Sequence, residues 1–194
     1  VPDTEAKILI NQAGDGIREE GIKFVINTYD EYAVEEGLRL REKIGGDSKV
    51  TVVCLGPEES TELIRTALAM GADDAVHICD PALRGPGPFT SATVLAKAIQ
   101  EEGFDIIFCG KQAIDDDMAQ VQSVLAEMLD IPQVNVVATF EISDNGKKAI
   151  LKRRIEGGDE KVETQLPVIV SCEKGLNEPR YASLPGIMKA KKKE

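Results

Sequence analysis

The sequence predicts an α/β fold: a parallel sheet with helices on both faces, extended by a small antiparallel β unit. Three observations carry this. Short β-branched or apolar runs alternate with helical patterns up to Leu129, with glycine-bearing turns between them. Two alternating runs then flank Asp144-Asn145-Gly146, whose Asn-Gly pair is a strong hairpin signal. The chain has 194 residues and 42% apolar content, enough for one substantial core.

The elements follow in order. Ile8–Asn11 and Lys23–Ile26 fit short strands across a loop holding Gly14 and Gly16. Asn27 or Thr28 is placed to cap the next helix, in which Tyr29, Tyr32, Ala33, Leu38 and Leu40 share an apolar face and Glu35 stands four residues before Arg39. Gly45-Gly46 ends it. Val50–Leu55 reads as a buried strand and Gly56-Pro57 stops it. Ser60 precedes a helix bearing Leu63, Ile64, Ala67 and Leu68, ending at Gly71, and Ala75–Cys79 is the next strand. After a Pro- and Gly-rich loop, Thr90 or Ser91 caps a helix through Gln100. Ile106–Cys109 is a strand, and a helix capped by aspartate runs from about Asp116 to Leu129. Asn135–Ile142, Lys148–Ile155, Lys161–Gln165 and Val168–Cys172 supply the remaining strands, and the tail from Leu176 reads as an exposed loop with a basic end. The expected division is a single domain: an α/β core over 1–133, β hairpins over 134–175 and a loop over 176–194.

Composition excludes several function classes. A net charge of −11 argues against nonspecific nucleic-acid binding, and 4% aromatic content with no Trp argues against a base-stacking platform. No apolar stretch approaches the length of a membrane span. Cys54, Cys79, Cys109 and Cys172 stand at the ends of apolar runs without C-x-x-C spacing, so they read as buried free thiols. With one His, and no clustered ligands, no metal site is expected.

The stretch from Ile106 to Ser123, IIFCGKQAIDDDMAQVQS, carries the chemistry. A strand feeding a loop and a helix N-terminus is where α/β proteins bind phosphate. The stretch lacks the lysine–Ser/Thr pair of a P-loop and the spaced glycines of a dinucleotide fingerprint. Backbone N–H groups at a helix start take a phosphate without lysine, so the three aspartates are expected to cap the helix with their side chains turned away.

Three segments together resemble the small (β) subunit of electron-transfer flavoproteins: GKQAIDDD at Gly110–Asp117, LNEPRYASLPGIMKAKKK at Leu176–Lys193 and TALAMGAD at Thr66–Asp73. VPDTEAK at the start and EYAVEEGLRLREK in the first helix are similar too. The resemblance implies a Rossmann-like, adenine nucleotide alpha hydrolase-like domain. It also implies a strand ahead of the VPDT segment and a C-terminal arm past the lysine run, neither of which lies within these residues.

That family's β subunit packs against an α subunit that holds most of the redox FAD, and is a carrier subunit rather than an enzyme. It binds AMP, or a second FAD in bifurcating members that oxidise NADH. Carried onto this chain, the nucleotide is surrounded by Gly110, Gln112, Ala113, Ile114, Asp115, Asp116, Asp117, Gln120, Val121, Gln122 and Ser123, with Asn27, Tyr29, Asp30, Cys54 and Leu55 beside the adenosine. The Asp115–Asp117 run resembles AMP-type members, and Ala119-Gln120-Val121 resembles FAD-type ones. Gln122 stands where both classes have glycine and removes room beside a pyrophosphate, which favours AMP and leaves FAD as the alternative.

The resemblance further implies docking on acyl-CoA dehydrogenase-type donors of fatty acid β-oxidation. Leu184 is the anchor, flanked by Arg180, Tyr181, Pro185, Ile187, Met188 and Lys189. Electrons would pass through FAD to an ETF:quinone oxidoreductase-type acceptor. The location implied is the cytoplasm of a bacterium or archaeon, or the mitochondrial matrix of a eukaryote. A third alternative is an adenine-nucleotide-binding enzyme of similar fold.

Overall fold

The most uniformly buried segment is Val168–Cys172, whose β-branched Val-Ile-Val start becomes an interior strand of a five-stranded sheet. The computed structural model describes residues 1–18, 20–83, 85, 87–143 and 146–193. In chain order its elements are α1 (Thr28–Ile44), β1 (Thr51–Leu55), α2 (Thr61–Met70), β2 (Asp74–Ile78), α3 (Pro88–Glu102), β3 (Ile106–Gly110), α4 (Val121–Leu129), β4 (Gln133–Ile142), β5 (Lys148–Ile155), β6 (Gly158–Gln165), β7 (Val168–Cys172) and α5 (Leu184–Ala190).

The larger sheet has the order β3-β7-β4-β5-β6, with β7 parallel to both β3 and β4 and the β4-β5-β6 ribbon antiparallel. Strand periodicity sorts β7 between two cores. Val168, Val170 and Cys172 pack with Ala33 of α1, whereas Ile169 packs with Ala92, Ala96 and Ile99 of α3 and Leu125 of α4. Helices therefore cover both faces, as the α/β reading requires. Leu38 of α1 is fully buried, so Leu38→Ala would cost about 2–5 kcal/mol.

The parallel strands do not form one continuous sheet among the described residues. β1 and β2 pair in parallel as a separate two-stranded sheet. The residues of β1 and β3 line a shared cavity of about 1510 Å³. β1 is consequently half-buried along its length rather than buried as expected.

Other expectations are corrected. The strands expected at Ile8–Asn11 and Lys23–Ile26 are single bridges, Ile10 with Ile17 and Pro2 with Phe24. There Asn11 Oδ1 accepts from Gly14 N–H (2.8 Å), so a side-chain turn competes with the ladder. α3 begins at Pro88, whose fixed φ suits a first helical position, rather than at a Thr90 or Ser91 cap. α4 begins at Val121, not Asp116, because Asp117 and Ala119 adopt left-handed φ of 52° and 51°. The tail contains α5, started by Ser183, whose Oγ accepts from Gly186 N–H (3.1 Å). Of the cysteines, Cys79 is exposed and only Cys172 is fully buried. Asp144 and Asn145 of the expected hairpin turn lie outside the described residues. Beside them Gly146 N–H donates to Ser143 O (2.8 Å), and β4 and β5 on either side pair antiparallel, with a register shift between Val137 and Thr139. No helix is long and apolar enough to cross a membrane among the described residues.

Candidate functional site

The strand-to-helix segment is shaped by the start of α1. Asp30, in the first turn of that helix, accepts from Gly110 N–H at 2.6 Å and from Asn27 Nδ2 at 3.0 Å. Asn27 Nδ2 also donates to Gln112 O (2.9 Å), and Asn27 Oδ1 accepts from Ile114 N–H (3.2 Å). Asn27 occupies the N-cap position, yet its side chain clamps the loop instead of capping α1. A Cβ on residue 110 would lie 2.8 Å from Asp30 Oδ1 and from Tyr29 Cβ, so glycine is what permits this approach.

Burial pushes the Asp30 carboxyl above its ordinary value, against the lowering effect of the Gly110 and Asn27 bonds. Burial likewise pushes the Cys109 thiol far up, with the Asp30 charge adding to it, and Cys54 follows the same direction. These thiols stay protonated and are poor nucleophiles.

The loop between β3 and α4 is held by its own side chains. Gln112 Nε2 donates to Asp117 Oδ1 (2.5 Å), and Asp116 Oδ1 accepts from Met118 N–H (3.0 Å). Asp115, Asp116 and Asp117 are exposed and belong to the loop. The expected helix caps are thus loop braces. Lys111 turns away to pair with Glu173 (2.8 Å) and to lie 4.8 Å from the centre of the Tyr29 ring. The Glu173 hydrogen bond holds the lysine above its ordinary value.

What the loop offers an anion is backbone. The N–H groups of Ala119, Gln120, Val121 and Gln122 donate to no acceptor among the described residues, and these residues line the cavity. Four successive free donors at the positive end of α4 suit a phosphate, with no basic side chain needed. The phosphate of an adenine nucleotide fits the donor set at this end of the cavity. His77 is not part of it: its Nε2 lies 3.1 Å from Gly56 O within the two-stranded sheet. Among the described residues no group of His, Cys, Asp and Glu is arranged to hold a metal ion.

The C-terminal segment is anchored to α1 and then presents apolar side chains outward. Asn177 Nδ2 donates to Tyr32 O (3.0 Å) and to Glu36 Oε2 (2.8 Å). Burial raises the Glu36 carboxyl even with that bond. Arg180 binds Glu35 and Glu42, so its guanidinium is turned inward and away from the docking surface expected for it. Beyond it Tyr181 is 97% exposed, Leu184 80% and Met188 62%; Ile187, Pro185 and Lys189 are exposed beside them. α5 rests on α2 through Gly186, where any side chain would collide with Ala69 O.

This geometry can be set against known proteins. Residues 16–194 match the family described as "Electron transfer flavoprotein domain". The chain is 47% identical over 192 residues to the electron transfer flavoprotein subunit beta of Bacillus subtilis, covering 98% of this chain and 72% of that protein. It is 45% identical over 194 residues to the corresponding subunit of Thermoanaerobacterium thermosaccharolyticum, covering 100% of this chain and 73% of that protein. To the human subunit it is 42% identical over 196 residues, covering 100% and 76%. This chain belongs to the electron transfer flavoprotein family, among its β subunits.

In this electron transfer flavoprotein β subunit, eleven of the expected nucleotide residues line the cavity: Asn27, Asp30, Cys54, Leu55, Gly110, Gln112, Ala113, Asp116, Gln120, Val121 and Gln122. Tyr29, Ile114, Asp115, Asp117 and Ser123 lie outside its lining. Ile114 and Asp117 shape the loop, Tyr29 supports Lys111, and Ser123 N–H closes the first turn of α4 on Gln120 O (3.0 Å). Sequence reasoning missed Ala119, whose left-handed backbone no alanine announces, and Gly56, which the Gly-Pro stop after β1 did signal.

Proposed function

We propose that this chain is the structural-nucleotide and docking subunit of a heterodimeric electron carrier. It binds AMP where β3 meets α4, packs against the FAD-carrying α subunit, and receives acyl-CoA dehydrogenase-type donors on the Leu184 loop. Electrons then pass through the FAD towards a quinone reductase, and no bond of a substrate is made or broken on this chain. The observation that supports the nucleotide most is the row of free N–H groups from Ala119 to Gln122. The exposure of Leu184 and Met188 on an otherwise anchored segment supports docking, since apolar anchors on a fixed frame make short-lived hot spots. Lys189 and the lysines after it would add steering towards an acidic partner.

A second reading, FAD in place of AMP with NADH oxidation, draws on the Ala119-Gln120-Val121 run alone. Release of bound nucleotide from the purified heterodimer by acid separates the two.

A further inference from the structure

Gln122 is 6% exposed, and its amide is spent on two backbone carbonyls. Nε2 donates to Lys111 O at 2.7 Å and to Ala119 O at 3.0 Å. Lys111 is the first residue after β3 and Ala119 stands two residues before α4. One amide therefore ties together the two ends of the loop. We infer that Gln122 is a positioning residue that fixes the peptide planes of the phosphate loop, and this rests on the nucleotide reading above.

In a trans peptide the C=O of one residue and the N–H of the next point in opposite directions. Holding Ala119 O on Gln122 Nε2 therefore turns Gln120 N–H, one of the four free donors, away from that amide. Holding Lys111 O sets Gln112 N–H in the same way. If the peptide between Ala119 and Gln120 turned over, a carbonyl oxygen would face the anion in place of a donor. That turn is within reach, because Ala119 and Asp117 hold left-handed backbone that residues other than glycine adopt only at a cost. The strap offsets that cost. On this account Gln122 does more than fill space left by a missing glycine: it makes a loop without glycine at those positions competent to bind phosphate.

The test uses the heterodimer, stripped of bound nucleotide, as wild type and as Gln122→Met, which keeps the volume and removes the donor. Titration calorimetry with AMP and with adenosine is paired with hydrogen exchange across residues 111–124. We expect Q122M to bind AMP roughly tenfold more weakly, the scale of one lost hydrogen bond, with adenosine affinity unchanged and loop exchange faster. Equal AMP affinity in the two proteins overturns the inference, and so does a parallel loss for AMP and adenosine, which marks a general structural defect. If the wild type binds no AMP, the nucleotide reading fails, and loop exchange alone decides the strap: equal exchange overturns it. If Q122M does not fold, Gln122→Leu, which is uncharged and has no donor, is read by the same criteria.

Discussion

Arg180 grips Glu35 across 145 residues of sequence. Its Nε lies 2.8 Å from Glu35 Oε2, its Nη2 3.1 Å from Oε1, and its backbone N–H donates to the same carboxylate at 3.2 Å. The Glu35 side chain is 3% exposed, so this is a half-buried pair rather than a surface one. Nη1 reaches on to Glu42 at 2.5 Å. The grip fixes the point at which the chain leaves α1 and turns towards Leu184.

Arg180→Ala therefore acts on the stability of the C-terminal segment. Arg39 still pairs with Glu35 at 3.0 Å, so the carboxylate is not left wholly uncompensated. We expect a loss of about 2 kcal/mol in denaturant unfolding, and faster amide exchange in the residues after Asn177. A variant as stable as the wild type would show that Arg180 is not an anchor.

The same pair gives a pH dependence. Burial pushes the Glu35 carboxyl up, but the hydrogen bonds and charge of Arg180, with help from Arg39, outweigh it and hold the group below the ordinary glutamate value of 4.5. A depressed folded value means that the unfolded chain binds more protons as pH falls. The contribution is thus complete above the ordinary value and is lost as pH drops through the depressed one. Asp30 and Glu36 have the opposite sign: their values are raised by burial, so their contribution declines as pH climbs from the ordinary value through the raised one. The stability gap between wild type and R180A should be flat from neutral pH to about pH 5 and shrink below it. Urea midpoints across that range measure it, and a gap that widens in acid would reverse the assignment.

Leu184→Ala addresses docking. Leu184 touches little of its own chain, so truncation should leave folding and flavin content of the heterodimer unchanged. Electron transfer from an acyl-CoA dehydrogenase-type donor should show an apparent KM raised roughly tenfold, as expected for a lost apolar anchor. Unaltered stopped-flow kinetics would remove Leu184 from the docking surface.

Gly110→Ala addresses the junction between α1 and β3, beside the loop proposed to bind the nucleotide. The added methyl would meet Asp30 Oδ1 and Tyr29 Cβ at 2.8 Å, and Asp30 also holds the Gly110 N–H. Overpacking there should cost about 2 kcal/mol and lower nucleotide content, read by thermal unfolding and nucleotide release. Full nucleotide retention would show that the α1–β3 contact does not shape the site.

Much of the fold was legible because local chemistry and tertiary role agree. Val168–Cys172 reads as a buried strand because both of its faces are covered, and its polar residue, Ser171, accepts from Val136 N–H through Oγ (2.9 Å). Glu35 and Arg39 pair at helical spacing as their positions suggest. The illegible parts are those set by distant contacts. Nothing in MAQ announces that Ala119 goes left-handed and delays α4 to Val121. Arg180 reads as a surface cation until α1 brings Glu35 and Glu42 to it. That β1 and β3 lie in separate sheets among the described residues is not encoded by the alternation of strands and helices. Within the site, the resemblance named the loop, whereas the use of Asn27 and Gln122 as clamps on its carbonyls came only from the structure.

On the proposed reading, β3, α1 and the start of α4 form a site for a structural monophosphate nucleotide. Acid release of bound nucleotide from the purified heterodimer, followed by chromatographic quantification, tests it most directly. The account predicts AMP and FAD in near-equal amounts. Two FAD per heterodimer with no AMP would contradict it.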